Sequence, residues 1–208
     1  MNRLMDFAPA ATRAATRRGR WRTPLLGEAA LKLWRADARR KAEWLAPFAP
    51  AGARALEVGS GPGCVVEALR TRGVAVTAVD VRDTAYAANV APLLYDGEAL
   101  PFADDAFDVS LALTTLHHCD DPVRVLSEAT RGAPRTVVIE DVYDGPWQRR
   151  LTKMADSLVN LEFAGHPHAN RDDAGWRDAF AELRRRVVFA DRKPYFGLFA
   201  QALYVLER

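Results

Sequence analysis

Cysteine is scarce in this chain: Cys64 and Cys119 are the only two in 208 residues. They make neither a disulfide framework nor a metal-ligand spacing, so reduced thiols and a cytoplasmic location are the expectation. Long apolar runs are missing as well. No stretch reaches eighteen uninterrupted apolar residues, which excludes a membrane-spanning helix. The start, MNRLMDFAPAATRAATRRGRW, lacks the apolar core of a secretory signal. Its Arg- and Ala-rich, acid-poor composition is shared by organelle transit peptides and by plain disordered basic tails, and the tail is the preferred reading. Internal repeats are absent, as is low complexity beyond that start. Two nucleotide signatures also fail. No Gly-Lys-Ser/Thr closes a phosphate-cradling loop, and a G-x-G-x-x-G starting at Gly59 would need glycine where Cys64 stands.

What remains is an ordinary globular composition, 49% hydrophobic and 27% charged, in a length that suits one large core and is short for two. The net charge of +2 hides an asymmetry. Residues 1 to 50 hold eleven Lys/Arg against four Asp/Glu, whereas the remainder holds 18 against 23. A basic arm on an acidic body suits an anionic substrate, RNA or a membrane surface, or is simply solvated. The division expected is a basic, flexible tail over residues 1–27 and a single domain over 28–208. No DNA partner is expected, and the protein is a monomer or homodimer.

Apolar spacing predicts an amphipathic helix from Glu28 to about Phe48, with Leu31, Trp34, Ala38, Leu45 and Phe48 on one face, stopped by Pro47 and Pro50. Strands and helices then alternate. Strands are predicted at 53–58, 74–79, 92–95, 107–113 and 135–142. The helices between them run from Pro62 to Arg72, from Thr84 to Val90 (short) and from Pro122 to Arg131. Such alternation implies a parallel sheet covered on both faces by right-handed crossovers. A helix face at Trp147, Leu151, Met154, Leu158 and Leu161, a helix over 172–184, and two final strands near 186–191 and 197–206 complete the chain.

The stretch from 56 to 63 reads LEVGSGPG: an apolar strand opening into three glycines and a proline. A second strand follows and stops on Asp80. Strand, glycine turn, helix, strand, acid is the layout of a nucleotide-type crevice at the carboxyl edge of a parallel sheet. Glycines admit close backbone approach, and the acid accepts from ribose hydroxyls. A tight turn and a helix cap are the plainer alternatives for the same residues. The pattern Glu57-x-Gly59-x-Gly61-x-Gly63, AVDVRD around Asp80, and YDGEALPFADDAFDVSLALTTLHHCDDPVRVLSEATR from Tyr95 to Arg131 occur in that order. Together they resemble the class I S-adenosylmethionine-dependent methyltransferases over most of residues 53–143, in the broad group of small enzymes of the type 11 kind.

That resemblance implies a Rossmann-like α/β fold with a mostly parallel seven-stranded sheet. It also implies S-adenosylmethionine as cofactor, S-adenosylhomocysteine as product and a small-molecule methyl acceptor at oxygen or nitrogen. By the same resemblance Gly59, Ser60, Gly61 and Gly63 line the methionine part and the ribose, with Glu57 near the methionine amino group. Asp80 takes the ribose hydroxyls, Val81 lies against the adenine, and Asp96, Gly97 and Glu98 complete that wall. Leu113 and Thr114 border the sulfonium. Departures exist: Arg131-Gly132-Ala133-Pro134 replaces the usual Pro-Gly-Gly turn, and the helix after Asp80 is weak.

The Asn/Asp-Pro-Pro-aromatic motif of amino methylation is absent where TTLHHCDDP stands, which makes exocyclic base nitrogens a poor acceptor. His117 and His118 occupy that place, and a near-neutral imidazole suits proton removal, His117 being preferred. The alternative has one histidine packed into the sheet and the other capping the next helix. Glu140 and Asp141, ending the fifth strand, are second candidates for substrate contact. His166 and His168 with Asp172 and Asp173 lack a third spaced ligand and read as a surface loop, so no metal is expected. The helix at 28–48 and the segment 144–171 are the insertions large enough to cover the crevice, the second as a lid over a moderately apolar substrate or as packing on the sheet edge. RNA or protein methylation through Arg13, Arg17, Arg18, Arg20 and Arg22, and a binding module without turnover, stand as alternatives.

Overall fold

The computed structural model describes residues 24–87, 89–150, 169–195, 197 and 199–208. Helix α1 spans Pro24–Leu45, starting earlier than the expected 28 because a proline at the first helical position gives up no hydrogen bond. It stops short of Phe48. The N–H groups of Phe48 and Ala49 both turn back onto the Leu45 carbonyl at 2.9 Å, and Pro47, just before them, has none to give. The rest runs β1 (Arg54–Val58), α2 (Cys64–Thr71), β2 (Ala75–Asp80), β3 (Leu93–Leu94), β4 (Val109–Leu113), a 3₁₀ turn (Leu116–His118), α3 (Pro122–Gly132) and β5 (Arg135–Val142). After residues outside the described set come α4 (Asp173–Glu182), β6 (Arg186–Tyr195) and β7 (Phe199–Glu207).

The short helix expected from Thr84 to Val90 does not form among the described residues. Its N–H groups are withdrawn from a helical ladder: those of Tyr86 and Ala87 donate to Pro62 O at 2.9 and 3.1 Å. That of Ala85 goes to the Asp83 carboxylate, and Arg70 holds the Asn89 carbonyl from α2. β6 runs four residues beyond its expected end, because each of its residues from Ala190 to Tyr195 finds a register partner on β7.

The seven strands lie in the order β3-β2-β1-β4-β5-β7-β6. β1 pairs parallel with β2 and β4, and β4 with β5. β7 is antiparallel to both of its neighbours. Central strands buried on both faces read as near-continuous apolar runs, and VSLAL of β4 is buried at every position. Alternate residues feed two cores. Ala55, Val76, Leu111 and Ile139 pack beneath α1 and α2, whereas Leu56, Val58, Val138 and Tyr204 pack beneath α3 and α4. No helix among the described residues is long and apolar enough to cross a membrane.

Candidate functional site

The chain leaves β1 for β2 on one side and returns to β4 on the other, so a crevice opens where the strand order reverses, outside the carboxyl ends of these strands. The glycine loop sits there. The N–H groups of Gly59 and Ser60 both donate to Val79 O, at 2.9 and 3.2 Å, which sews the loop to the end of β2. Gly59 has φ +75°, and a Cβ on it would lie 1.9 Å from Thr115 Oγ1. Gly61 has φ +49°, and a Cβ there would meet nothing within 4 Å. Two glycines of one loop thus serve different ends: the first lets two loops touch, and the second faces open space.

Asp80 is tied into the same structure. Its Oδ2 accepts from Gly61 N at 2.9 Å and its Oδ1 from Arg82 N at 3.1 Å. Partial burial pushes its carboxyl above the ordinary range, against the lowering effect of those N–H groups. One lone pair on each oxygen is left for further donors.

Beneath the loop, Glu57 is 2% exposed, and its Oε2 has no hydrogen-bond partner. Burial pushes its pKa up to about 8, with Asp80 reinforcing the rise and Lys41 and Arg70 opposing it. Ser60 Oγ is also buried without a partner. Gly63 stands at the cap position before α2 and offers no side-chain cap, so the first N–H groups of the helix await an acceptor. On the far side Val81 is 50% exposed, and Gly97 backs it so closely that a Cβ would come within 3.3 Å of Val81 Cγ1. Asp96 accepts from Glu98 N and Ala99 N at 2.8 and 3.1 Å, and these bonds hold its carboxyl below the usual range. Arg131 clamps the stretch from Leu100 to Asp104, donating to Leu100 O, Phe102 O and the carboxylates of Glu128 and Asp104. The unusual Arg-Gly-Ala-Pro turn therefore supplies the fastening of the Asp96–Glu98 wall.

At the end of β4, Leu113 is buried and Thr114 holds φ +52°, a conformation that costs a β-branched residue energy and persists only when overdetermined. Three bonds hold it: Thr114 N to Ile139 O at 2.6 Å, Thr114 Oγ1 to Leu113 O at 2.7 Å, and Lys41 Nζ to Thr114 Oγ1 at 2.8 Å. Just beyond, His117 Nδ1 lies 2.5 Å from Glu140 Oε2, and both side chains are buried. Glu140 Oε1 accepts from the N–H groups of Thr115 and Leu116. Glu140 thus sits inside the protein, fastening the loop after β4 rather than lining the crevice. His118 is half-buried, with its ring 4.1 Å from that of His117. The cap of α3 is Asp121, which accepts from Arg124 N at 3.0 Å, and not a histidine. Cys119 is pushed up to about 12 by burial, far from a thiolate nucleophile.

Sequence reasoning missed the polar links that α1 makes. Lys41 joins Asp37 at 2.9 Å. Asp37 joins Arg40, Arg40 bonds Gln201 Oε1, and Gln201 Nε2 reaches Asp141 Oδ1 at 2.8 Å. No sequence signal separates these residues from the solvated charges around them on the helix. Asp172 caps α4 and Asp173 bonds Tyr204 Oη and Arg177. Among the described residues no group of three or more His, Cys, Asp or Glu is gathered for a metal. His166, His168, the apolar face at Leu151, Met154, Leu158, Leu161 and Phe163, and the Arg-rich start lie outside the described residues, while Trp147 is exposed.

Residues 56–133 match the methyltransferase domain family. An uncharacterized methyltransferase of Mycobacterium sp. (strain KMS) is 29% identical over 140 residues, which are 61% of this chain and 56% of that protein. The chain thus spans about half the length of the curated relatives it matches. A crystal structure of a SAM-dependent methyltransferase from Aquifex aeolicus superposes with a TM-score of 0.60 at 18% identity, covering 83% of this chain and 90% of that one. Residues 56–133 thus carry a methyltransferase-domain match, and the fold around them is the one S-adenosylmethionine-dependent methyltransferases have. Magnesium protoporphyrin IX methyltransferase from Synechocystis PCC 6803, solved with bound SAH, shares the fold at TM-score 0.59 and 14% identity, over 91% and 90% of the two chains. The features this crevice leaves open are the face of Gly61, the unpartnered Glu57 Oε2, the start of α2 without a side-chain cap and the remaining lone pairs of Asp80.

Proposed function

We propose that the protein transfers a methyl group from S-adenosylmethionine to oxygen or nitrogen of a small-molecule acceptor. The observation that carries the cofactor half is the buried, unpartnered Glu57 carboxylate oxygen under a glycine loop whose middle residue, Gly61, faces empty space. An orphaned buried acceptor is costly and calls for a donor from a ligand. An ammonium group answers Glu57, a carboxylate answers the free N–H groups of α2, ribose hydroxyls answer Asp80, and an adenine ring answers half-exposed Val81 beside Gly97, with Asp96 and Glu98 at its rim. Ser60 offers a hydroxyl to the same ligand. The cofactor supplies an activated methyl group on a sulfonium; the chain's part is to orient the acceptor and exclude water.

Leu113 and Thr114 border the acceptor side in this reading. His117 and His118 handle the acceptor's proton, Glu140 holding the first ring by Nδ1 so that the pair keeps one orientation. Support for a small acceptor comes from the crevice edge itself, where α1 packs close enough for Lys41 to touch Thr114. The segment 144–171 is the proposed cover.

Thermal unfolding with S-adenosylhomocysteine tests the cofactor half. Ligand at a hundred times its dissociation constant adds about 2.7 kcal/mol, or about 5 to 10 °C for a chain of this size. The shift is expected in wild type and absent in Asp80→Ala. No shift in wild type would sink the reading. Labelled-methyl transfer to panels of phenols, alcohols, amines and RNA then tests the acceptor half, where RNA as the preferred acceptor is the opposing outcome.

A further inference from the structure

Lys41 belongs to α1, far in sequence from the glycine loop, yet only 5% of its surface is exposed. A cation is buried only where partners repay its desolvation. Two of its three donors are engaged, by Asp37 Oδ2 at 2.9 Å and by Thr114 Oγ1 at 2.8 Å. Thr114 follows β4, which lies beside β1 with Val58 opposite Ala112. Alternation along β1 puts Glu57 on the same side of the sheet as Ala55, the side that α1 and α2 cover. The buried cation of α1 and the buried, unpartnered carboxylate of β1 therefore share one face of the sheet at its carboxyl edge.

Resting on the cofactor reading above, we propose that Lys41 is a positioning residue for that site: its charge lowers the cost of ionising Glu57, so that the carboxylate can receive the ammonium of the cofactor's methionine part. Thr114 and Asp37 engage Lys41 while Glu57 Oε2 keeps no hydrogen-bond partner, so in this proposal Lys41 acts through space and leaves that oxygen open. The charged and titratable groups that bear on Glu57 are Lys41 from α1, Asp80 at the end of β2, and Arg70 and Cys64 of α2. Since burial pushes Glu57 up to about 8, ligand binding near neutral pH releases a proton. Affinity then rises with pH until Glu57 is ionised.

The test uses S-adenosylhomocysteine, which keeps the ammonium and carboxylate, titrated calorimetrically from pH 6 to 9 against the full chain. Wild type is expected to gain affinity through this range to about pH 8. Lys41→Met removes the cation, moves the rising limb to higher pH and weakens binding at pH 7 about tenfold, the effect of roughly one pH unit on a group that must ionise. Lys41→Gln keeps a donor for Thr114 without the charge; it is expected to behave alike and serves should Lys41→Met not fold. Glu57→Gln flattens the profile, and adding Lys41→Met to it has little further effect. A tenfold loss from Lys41→Met that persists in the Glu57→Gln background, or an unmoved pH profile in both Lys41 variants, overturns the proposal. Failure of wild type to bind at any pH overturns the cofactor reading itself, and this one with it.

Discussion

Among single residues, the two glycines at 59 and 61 separate folding from binding. Both hold positive φ, so alanine costs about 1–2 kcal/mol of backbone strain at either. At Gly59 the new methyl would also collide with Thr115 Oγ1 at 1.9 Å and Cβ at 2.8 Å. At Gly61 it would project into space where no atom lies within 4 Å. Gly61→Ala is therefore expected to fold, its unfolding midpoint lowered by about 2 to 8 °C, while its affinity for S-adenosylhomocysteine falls at least tenfold. Gly59→Ala loses more than twice as much stability. Equal affinity in Gly61→Ala and wild type would show that no ligand approaches the loop there. The glycines and Asp80 are singled out by their spacing on a strand–turn–helix–strand layout, and the 95–98 stretch by the resemblance to the methyltransferases. Lys41 is not singled out, and Glu140 reads in sequence as a substrate contact. Their roles rest on partners 73 and 23 residues away in sequence, Thr114 and His117, and no local pattern encodes such a pair.

Elements were legible where apolar period and chain punctuation agreed. The buried strands β1, β2, β4 and β5 fall at their expected places, since four- to eight-residue apolar runs flanked by Gly or Pro have few other uses. Misreadings fell where hydrogen bonds from other segments override local preference, as when Pro62 O takes the N–H groups that would have made a helix after Thr84. The loop from Asp96 to Phe107 is the contrary case: almost without regular structure of its own, it is held from α3. Arg131 there donates to Leu100 O at 3.0 Å and Phe102 O at 2.7 Å, and Glu128 accepts from Leu100 N at 2.8 Å. Replacing Arg131 by Met leaves two carbonyls and two carboxylates without this partner, at a cost of about 1–3 kcal/mol. Urea unfolding should show it, together with weaker S-adenosylhomocysteine binding as the Asp96–Glu98 wall loosens. Lys is not expected to rescue, because an ammonium cannot fork among two carbonyls and two carboxylates as a guanidinium does. Full rescue by Lys would mean that charge alone matters at this place.

For the molecule as a whole, one sheet separates two cores, and the candidate site belongs mostly to one of them. Glu57 and Lys41 lie on the α1 and α2 side, and the loop and Asp80 lie at the sheet's carboxyl edge. α4 packs on the opposite side, where Phe180 is fully buried between Trp176 and Tyr204, 5.0 Å from the Tyr204 ring in an edge-on contact. Both cores grip the same strands, so the domain is expected to unfold in one transition even though ligand contacts concentrate on one face. Phe180→Ala removes a large buried ring from a packed interior, which costs about 3–5 kcal/mol. For a chain of this size the midpoint falls by about 6 to 20 °C. The site should scarcely register that change while the protein stays folded, because α4 packs in the core on the other face of the sheet from Glu57 and Lys41. Calorimetric titration with S-adenosylhomocysteine at 10 °C, well below the lowered midpoint, is expected to give a dissociation constant within about twofold of wild type. A tenfold weakening there would mean that the face under α4 sets the geometry of the crevice through the shared strands, and that the two cores act as a single mechanical unit.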